Sequence, residues 1–586
     1  MSQFLRRWAA GLGGAGLALA AAGGAMAEEL RLVTPQGPLA GEITADGAVG
    51  VFKGIPYATP PVGARRWKPA EPAPDWTNLR LATRPGPVCV QSSLPPTVDI
   101  PGGGRQASLY WDADQVSSED CLYLNVWTPV AAATDKAGPR PVMVWIHGGA
   151  FLNGSGINPA YDGAALARKG AVVVTINYRL GIFGFFAHPE LSAESPTGTS
   201  GNQGLTDQIE ALRWVKRNIA AFGGDPNNVT IFGESAGGWA ISLLVANRRT
   251  EGLFHKAIGE SGAYFYSMLD LRKPTQGRPS AEDVGLKFAR QAVPGGGLDA
   301  LRGLTAADLQ KAADRPGAIN PGLFVIVDGV MFKRPVRDIF ALGEQRAVPV
   351  LVGFNADEGS GLSDFYVVPP PPPTARAYVE QVEARFGDLA PAWLKQYPAS
   401  DLTAAVFDAY RDSEFGWRMQ AWAGDMSKVG APAWLYYFAH TPPAGEAMRA
   451  LPAALGSTAL RRGGAFHASE IAYAFNNPDV SVGSTLPPTP VDRRLAEEMS
   501  DYWVTFARSG DPNGAGRPLW SPYRPADRRY MRFDKVTTPG VDPLPGSLEL
   551  HRQIDERRFE AGIAWDGGSA GLLATLHLPG HPLGAE

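Results

Sequence analysis

Short apolar runs alternate with amphipathic segments through the first two thirds of the chain. Residues 141–150 and 171–180 each contain a continuous apolar run, which is typical of a strand buried on both faces of a sheet. Residues 228–235 form a third run of this kind, and 255–262 and 348–359 contain two more. These five segments predict strands in the interior of a large sheet.

Two helical segments lie between these runs. Residues 204–224 end on glycine and carry apolar side chains at helical spacing, namely Leu205, Ile209, Leu212, Val215 and Ile219. Residues 236–247 predict a second helix, which begins with small residues. Strand–helix alternation predicts an α/β fold, with a mostly parallel twisted sheet flanked by helices on both faces. Loop and helical insertions after the strands are expected to account for the remaining length.

The first 27 residues have a different character from the rest of the chain. Arg6 and Arg7 precede an apolar run that is rich in alanine, glycine and leucine, and residues 25–27 are Ala-Met-Ala. This is the pattern of a secretory signal peptide cleaved after Ala27, by either the general or the twin-arginine route. No later segment has 18 consecutive apolar residues, so we expect no stable membrane insertion. The sequence therefore predicts a secreted or periplasmic protein with one domain over 28–586.

Composition and charge restrict the classes of partner. The chain of 586 residues is 45% hydrophobic with a formal net charge of −4, and it has no basic tract, so we expect no nucleic-acid partner. Its histidines and its two cysteines show no metal-ligand spacing, so we expect no metal and no cofactor. In an exported protein Cys89 and Cys121 are expected to pair, the alternative being two buried thiols. Nothing in the pattern indicates an oligomeric state.

Ser235 stands between the predicted strand 228–235 and the predicted helix 236–247. Gly233 and Gly237 flank it in the pattern G-x-S-x-G. A strand that reverses directly into a helix forces its turn residue into a strained conformation, and side chains at the flanking positions would collide across the turn. The pattern predicts a nucleophile elbow that raises one hydroxyl above the sheet, beside the positive end of a helix. A structural turn serine is the alternative.

A glycine pair follows the predicted strand 141–150. Such a loop exposes backbone N–H groups, so Gly149 and Ala150, together with the N–H of Ala236, are candidate donors to one oxyanion. The alternative is an ordinary turn at the end of a strand. His147 in this loop is expected to orient the loop rather than to act as a base.

A serine nucleophile needs a base and an orienting carboxylate, which in this fold follow it along the chain. Asp357 and Glu358 come directly after a predicted strand and are the candidate acids. The histidines that follow the serine are His255, His440, His467, His551, His577 and His581. His467 lies in a glycine-rich loop just before a helical pattern, which favours it as the base, with His440 at a strand end as the alternative.

The chain resembles the type-B carboxylesterases, which include the cholinesterases, within the α/β-hydrolase superfamily. The resemblance runs from about Leu30 to about Phe533. It is carried by several motifs together, namely FKGIPYATPPVGARRWKPA (52–70), SEDCLYLNVWTP (118–129), HGGAF (147–151), INYRLGIFGF (176–185), the stretch 201–238 that contains GESAGG, ADEGS (356–360) and FHASEIAYAF (466–475).

The resemblance implies a role for each residue that matches a family motif. Ser235 in GESAGG corresponds to the nucleophile, Glu358 in DEGS to the acid and His467 in FHASE to the base. By this correspondence Asp357 is a neighbour of the acid rather than the acid itself, and His440 is not the base. The three candidate backbone donors correspond to the family's oxyanion hole.

Further positions follow from the same resemblance. Cys89 and Cys121 correspond to the family's first disulfide, and Glu234 and Ser261 to residues that support the histidine–glutamate pair. Trp111 stands where cholinesterases carry the tryptophan that binds choline. Gly361 and Leu362 replace aromatic residues of that cation site, so Trp111 is expected to be a hydrophobic wall residue, with Phe151 as the second substrate-binding side chain.

The implied activity is hydrolysis of a small-molecule carboxylic ester through an acyl-enzyme, without a cofactor. The substrate pocket is expected in a gorge formed by inserted loops. Two other functions use the same fold. One is a non-catalytic interaction protein, and the other is an acyltransferase or thioesterase with the same three residues. The sequence does not specify which ester is cleaved.

Overall fold

A computed structural model describes residues 28–91, 99–100, 104–105, 115–134, 138–315, 325–360, 372–450, 463–480 and 486–563. Several positions with a predicted role lie outside these residues, namely the predicted signal peptide 1–27, Trp111, Gly361, Leu362, His577 and His581.

One large sheet dominates the described part of the chain. Its strands, given in chain order together with two small strand pairs, are β1 (Glu29–Thr34), β2 (Gly37–Ile43), β3 (Val49–Pro56), β4 (Arg80–Leu81), β5 (Val88–Cys89), β6 (Asp99–Ile100), β7 (Gly104–Arg105), β8 (Ser117–Ser118), β9 (Tyr123–Pro129), β10 (Arg140–Ile146), β11 (Val172–Ile176), β12 (Gly224–Glu234), β13 (Lys256–Glu260), β14 (Val350–Asn355), β15 (Ala433–Phe438), β16 (Arg529–Phe533) and β17 (Thr538–Val541).

The sheet has the order β1-β2-β3-β9-β11-β10-β12-β13-β14-β15-β16-β17, with β4 paired to β2. The pairs from β11 through β16 are all parallel. Antiparallel strands extend both ends, since β9 pairs antiparallel with β11 and β17 with β16. The predicted mostly parallel sheet is therefore confirmed.

The helices lie between and around these strands. They are α1 (Val130–Thr134), α2 (Ala164–Arg168), α3 (Gly181–Gly184), α4 (Pro189–Glu194), α5 (Gln203–Asn218), α6 (Ala236–Val245), α7 (Ala281–Ala292), α8 (Leu298–Gly303), α9 (Ala306–Ala313), α10 (Val336–Ala341), α11 (Ala375–Phe386), α12 (Ala390–Gln396), α13 (Leu402–Arg411), α14 (Trp417–Asp425), α15 (Pro443–Ala450), α16 (Ile471–Ala474), α17 (Pro490–Ser509) and α18 (Ser547–Glu560). Helices α7 to α14 and α18 supply most of the predicted insertions.

Side chains alternate between the two faces of the central strands, as the strand period requires. On β10, Val144 and Ile146 pack with α5 and α6 in one apolar cluster, whereas Met143 and Trp145 pack with α16 and α17 in the other. Every residue of β11, β13, β14 and β15 is buried, because helices cover both faces. The continuous apolar runs in the sequence follow from this double burial.

Two predicted segments end earlier than their apolar runs. β10 stops at Ile146, where the chain enters the glycine loop, and β11 stops at Ile176. The predicted helix 204–224 is α5 followed by a 3-10 turn, and Gly223 ends it in the left-handed region with φ 77°. β12 begins at Gly224, earlier than predicted, because Gly224 pairs with Arg140 of β10.

Cys89 and Cys121 form a disulfide across a sequence separation of 32 residues. The predicted pairing is therefore present, and both cysteines are buried. The cross-link ties the segment before β9 to β5.

We expect the double variant Cys89→Ser/Cys121→Ser to lose about 3–4 kcal/mol of stability, because the cross-link restricts the unfolded chain. Denaturant unfolding of the variant and of the parent, each with and without reductant, measures this loss. Reductant should lower the stability of the parent toward that of the variant and leave the variant unchanged. Equal stability of the two proteins under oxidising conditions would contradict the expectation.

Candidate active site

Ser235 occupies the turn between β12 and α6 with φ 56° and ψ −120°. This left-handed backbone is strained for any residue that carries a Cβ. Glycine is required at both flanking positions because the backbone there lies very close to the end of β10. A Cβ on Gly233 would lie 2.5 Å from the carbonyl oxygen of Ile146, and one on Gly237 would lie 2.0 Å from the same atom. The strand therefore turns into the helix directly against the end of β10.

Neighbouring backbone holds this turn in place. The Ser235 N–H donates to the carbonyl of Glu260 at the end of β13 over 2.9 Å. The N–H of Trp239 donates back to the Ser235 carbonyl, also over 2.9 Å, and begins the hydrogen-bond ladder of α6. Ser235 keeps 9% of its surface exposed, whereas Glu234 before it and Ala236 after it are fully buried. The serine is thus the accessible residue of the turn.

The loop after β10 has an unusual backbone. Gly149, Ala150 and Phe151 all have positive φ, at 100°, 55° and 59°. In the described residues, no hydrogen bond uses the N–H of Gly149 or of Ala150. Ala236 is the first residue of α6, so its N–H also lacks a partner within the helix. The three predicted donors therefore retain hydrogen-bonding capacity.

His147 supports this loop from inside the protein. Its ring stacks on Tyr178 with centroids 4.4 Å apart, and its Nδ1 lies 2.8 Å from the carbonyl oxygen of Gly148. The Tyr178 hydroxyl donates to the backbone carbonyl of His147 over 2.9 Å. Burial lowers the pKa of His147 to about 4, so this imidazole is neutral at ordinary pH. These contacts agree with the predicted loop-orienting role.

The candidate base and acid are in direct contact. His467 Nδ1 lies 2.6 Å from Glu358 Oε2, and both side chains are buried. The other oxygen of Glu358 accepts the backbone N–H of Asn355 over 2.7 Å. A carboxylate fixed in this way orients the imidazole through its Nδ1 and leaves Nε2 for another partner.

Asp357, the other acid considered from the sequence, has a different set of contacts. Its N–H donates to the carbonyl of Ala465 over 2.9 Å, and its Oδ2 accepts the N–H of Ala465 over 3.0 Å. These bonds join the loop after β14 to the loop that carries His467. Asp357 thus holds the histidine loop, while its neighbour Glu358 holds the imidazole.

The second nitrogen of His467 faces the nucleophile turn. Nε2 lies 3.2 Å from Oε1 of Glu234, the residue immediately before Ser235. In the described part of the chain, no hydrogen bond joins the Ser235 hydroxyl to His467. Catalytic hydrogen bonds are often long in structures without substrate and tighten on binding. The structure thus brings the imidazole to both Glu358 and the elbow, with Glu234 next to the serine.

A second carboxylate lies behind the histidine. The Ser261 hydroxyl donates to Oε1 of Glu470 over 2.9 Å, and the side chain of Asn355 donates to Oε2. The Asn355 amide also donates to the carbonyl of Phe466, next to His467. Ser261 therefore contacts Glu470 rather than the His467–Glu358 pair itself. Glu470 follows His467 by three residues at the start of α16, and this short spacing is the sequence signal that could have identified it.

Phe415 contacts the imidazole of His467, with ring centroids 5.0 Å apart. It lies on a single π-helical turn, Asp412–Gly416, between α13 and α14. Such turns are rare and often occur near functional sites because they redirect side chains. No pattern in the sequence indicates this contact, since the turn interrupts an otherwise regular helical segment.

The other described histidines that follow Ser235 in the chain lie elsewhere. His440 Nε2 is 2.7 Å from Asp492 Oδ1, at the start of α17. His255 accepts the N–H of Val229 through Nδ1, and His551 on α18 contacts the hydroxyl of Tyr397. None of them contacts Glu358 or Glu234, which leaves His467 with the acid.

Phe151 differs from its predicted position on a pocket wall. Its side chain is completely buried and packs against the rings of Phe185, Trp239 and Tyr264. It has no accessible surface for a substrate. Phe151 therefore supports the loop after β10 from the core in this structure, and Trp239 is the half-buried member of this ring cluster.

Two searches of the described residues gave negative findings. No described helix combines the length and apolarity needed to span a bilayer. No group of three or more His, Cys, Asp or Glu side chains in the same described ranges has an arrangement that could hold a metal ion.

Comparison with known proteins identifies the family. The sequence model of the Carboxylesterase family matches residues 28–544. The chain is 38% identical over 513 residues to the fumonisin B1 esterase of Sphingopyxis macrogoltabida, with 84% of each protein covered. It is 34% identical over 516 residues to the para-nitrobenzyl esterase of Bacillus subtilis strain 168, covering 85% of this chain and 94% of that protein.

The fold comparison agrees with the sequence comparison. A solved structure of a PNB esterase superposes with a TM-score of 0.71 at 33% identity, covering 89% of this chain and 99% of the other. This chain belongs to the type-B carboxylesterase family of α/β-hydrolases, and it is a serine hydrolase that cleaves carboxylic esters.

Proposed function

We propose that this chain is an exported esterase in which Ser235, His467 and Glu358 form the catalytic triad. The observation that carries the proposal is the 2.6 Å contact between His467 Nδ1 and Glu358 Oε2, with Nε2 directed toward the nucleophile turn. A proton on Nδ1 donates to Glu358 and leaves Nε2 as the acceptor. An imidazole held in this tautomer has the correct form to take a proton from a serine hydroxyl.

The reaction proceeds in two halves. Ser235 Oγ attacks the ester carbonyl carbon while His467 Nε2 accepts the hydroxyl proton, and a tetrahedral intermediate forms. The imidazolium then gives this proton to the leaving alkoxide, so that the alcohol departs and Ser235 holds the acyl group as an ester. Water repeats the sequence with His467 as base, and the carboxylic acid is released.

The oxyanion of each tetrahedral intermediate is stabilised by backbone donors. The proposed donors are the N–H groups of Gly149 and Ala150, which no hydrogen bond uses in the described residues, and the N–H of Ala236 at the start of α6. The positive end of α6 adds to this field. One such donor contributes about 3–4 kcal/mol to the transition state. The strained loop backbone is fixed before the reaction, so the donors need no reorganisation.

Glu358 has a second effect besides orientation. When His467 carries the transferred proton, the buried carboxylate forms a charge-assisted hydrogen bond to the imidazolium. Oε1 of Glu234 lies 3.2 Å from Nε2 on the other side of the ring, where an ionised carboxylate adds a second negative charge. This pair of carboxylates stabilises the protonated base at the stage where it is needed.

Export is part of the proposal. The leader-like segment 1–27 and the disulfide between Cys89 and Cys121 both fit an oxidising compartment outside the cytoplasm. The relatives named above act, by their names, on fumonisin B1 and on para-nitrobenzyl esters. We therefore propose small carboxylic esters as substrates and take a para-nitrobenzyl ester as the first probe.

Product analysis tests the proposed reaction. We expect the purified chain to convert a para-nitrobenzyl ester into equal amounts of acid and alcohol, with the acyl group going to water. Added methanol should divert part of the acyl group to the methyl ester in proportion to its concentration, because both nucleophiles compete for the same acyl-enzyme. Preferential transfer to a low concentration of acceptor, with little free acid, would instead indicate an acyltransferase.

A further inference from the structure

The nucleophile turn and the histidine loop enclose a group of buried carboxyl side chains. Glu234 and Glu260 are paired in register at the ends of the parallel strands β12 and β13. Glu358 and Glu470 come from the loops after β14 and before α16. All four side chains are fully buried. Such a concentration of acids in a core is unfavourable unless cations or protons reduce the charge.

Few cations are available to this group. His467 contacts Glu358 and Glu234. Among the described residues, no lysine or arginine forms an ion pair with Glu260, Glu358 or Glu470. Hydrogen bonds satisfy Glu358 and both oxygens of Glu470, as described above. Glu260 is therefore the carboxyl group with the least compensation for a negative charge.

The contacts of Glu260 bear on whether its carboxyl group is protonated. Oε1 accepts the indole N–H of Trp503 on α17 over 2.7 Å, and Oε2 has no hydrogen-bond partner in the described residues. The titratable groups around it are Glu234 from β12, Tyr436 from β15 and Glu470, with the His467–Glu358 pair beyond them. Burial, and then the charge of Glu470, raise the pKa of Glu260 to about 8. Burial, and then the charge of Glu358, raise the pKa of Glu470 as well.

We propose that Glu260 is a positioning residue that remains a neutral carboxylic acid at the working pH of the enzyme and thereby limits the negative charge behind His467. It holds the end of β13 to α17 through Trp503, and its own carbonyl holds the Ser235 N–H. Ionised, it would add another charge to a group that already contains Glu234, Glu358 and Glu470. This proposal rests on the proposed role of His467 as the base.

Stability as a function of pH provides the first test, with Glu260→Gln as the variant and the exposed Glu42→Gln on β2 as the control. A carboxyl with a raised pKa in the folded state binds more protons there than in the unfolded state between about pH 4.5 and 8. Its contribution to stability is therefore complete at low pH and is lost as the pH rises. The glutamine cannot ionise and shows no such loss.

We expect the unfolding constant of the parent to rise relative to that of Glu260→Gln by at least tenfold between pH 5 and pH 8. The ratio reaches about 400-fold if the raised pKa is fully expressed, since each pH unit between the two pKa values contributes up to a factor of ten. Glu42→Gln should give a curve parallel to that of the parent. Parallel curves for Glu260→Gln and the parent would show an ionised Glu260 and overturn the proposal.

The acid limb of kcat/KM provides a second, independent readout. A neutral amide replaces a neutral acid in Glu260→Gln, so the midpoint of the acid limb should stay within about 0.3 pH units of that of the parent. If Glu260 were ionised, its removal would take a negative charge from beside the imidazole and move the limb to lower pH. Such a shift would contradict the proposal even if the variant kept its full rate at pH 7.

An infrared measurement on the unmodified enzyme covers the case in which Glu260→Gln does not fold. Exposed carboxyl groups are ionised at pH 7, so a carbonyl band of a protonated carboxylic acid reports buried acids. We expect this band at pH 7 and its loss on titration to pH 9, with Glu470 losing its proton at lower pH than Glu260 because its pKa is raised less, to about 7 rather than about 8. Its absence at pH 7 would overturn the proposal. The infrared and stability results do not depend on catalysis, so they separate this proposal from the assignment of the triad.

Discussion

Ser235→Ala is expected to lower kcat/KM for a para-nitrobenzyl ester by at least about 10⁴-fold. The methyl side chain cannot form the acyl-enzyme, and the remaining activity comes only from substrate binding and the oxyanion donors. The backbone at residue 235 should keep its left-handed turn, because bonds from neighbouring backbone hold it and alanine fits wherever serine does. The loss should therefore appear in kcat with little change in stability.

Steady-state kinetics and denaturant unfolding of the same preparation measure the two effects. Ser242→Ala is the control, since Ser242 lies on α6 and its hydroxyl makes only backbone contacts, donating to the carbonyl of Trp239 and accepting the N–H of Tyr264. We expect this control to keep activity within about threefold. Turnover by Ser235→Ala at more than a tenth of the parent rate would show that another nucleophile or a directly activated water carries the reaction.

Glu358→Gln is expected to lower kcat by about 10³ to 10⁴-fold with a small change in KM. The amide keeps the shape of the side chain but removes the charge that stabilises the imidazolium, and its NH₂ group favours the wrong tautomer of His467. The loss belongs to the transition state, since the carboxylate contacts no substrate atom in the proposed mechanism.

Asp357→Asn is the informative comparison for this variant. Both acids follow β14, but Asp357 bonds the backbone of Ala465, whereas Glu358 bonds the imidazole. We expect Asp357→Asn to lower kcat by about tenfold, because the loop that carries His467 is then positioned less firmly. Measurement of kcat and KM for both variants over pH 5 to 9 shows which of the two acids is the triad carboxylate. A larger loss of kcat in Asp357→Asn than in Glu358→Gln would contradict the assignment of Glu358.

The parallel half of the sheet could be predicted from the sequence because its strands are buried on both faces. Apolar residues dominate β11 and β14, and the polar residue in each strand, Thr175 and Asn355, is buried as well, so neither strand has the alternation of a one-sided strand. The first strands, β1 and β2, were not predicted. Exposed and buried residues do alternate along β1, but the run is only six residues long, and β2 contains Gly37, Pro38 and Gly41, which are residue types depleted in strands.

The nucleophile turn was equally open to prediction, since its requirements are local. Gly233, Ser235 and Gly237 lie within five residues, and the collision that excludes side chains involves the adjacent strand end. The histidine was different. Spacing alone left His440 as an alternative, because the pattern around a histidine does not specify which distant carboxylate it meets. His440 meets Asp492 at the start of α17, a contact that arises only from the packing of two distant segments.

The proximity of the buried acids Glu260 and Glu470 could not be predicted from the sequence pattern for the same reason. Each glutamate by itself appears in the sequence as an ordinary polar residue beside a strand or helix end. Only the packing of β13, β14 and α16 brings them behind His467 and encloses them without exposure. Phe415 is a comparable case, because its contact with the imidazole depends on one π-helical turn.

Peptide mapping by mass spectrometry after treatment with an organophosphonate ester shows directly which residue is the nucleophile. Such a reagent mimics the tetrahedral intermediate and phosphonylates a serine only where a base activates it and oxyanion donors hold the product. We expect one adduct per chain, on Ser235, which forms more slowly in Glu358→Gln and does not form in Ser235→Ala. Loss of activity with the adduct on any other residue, or with no adduct on Ser235, would contradict this expectation.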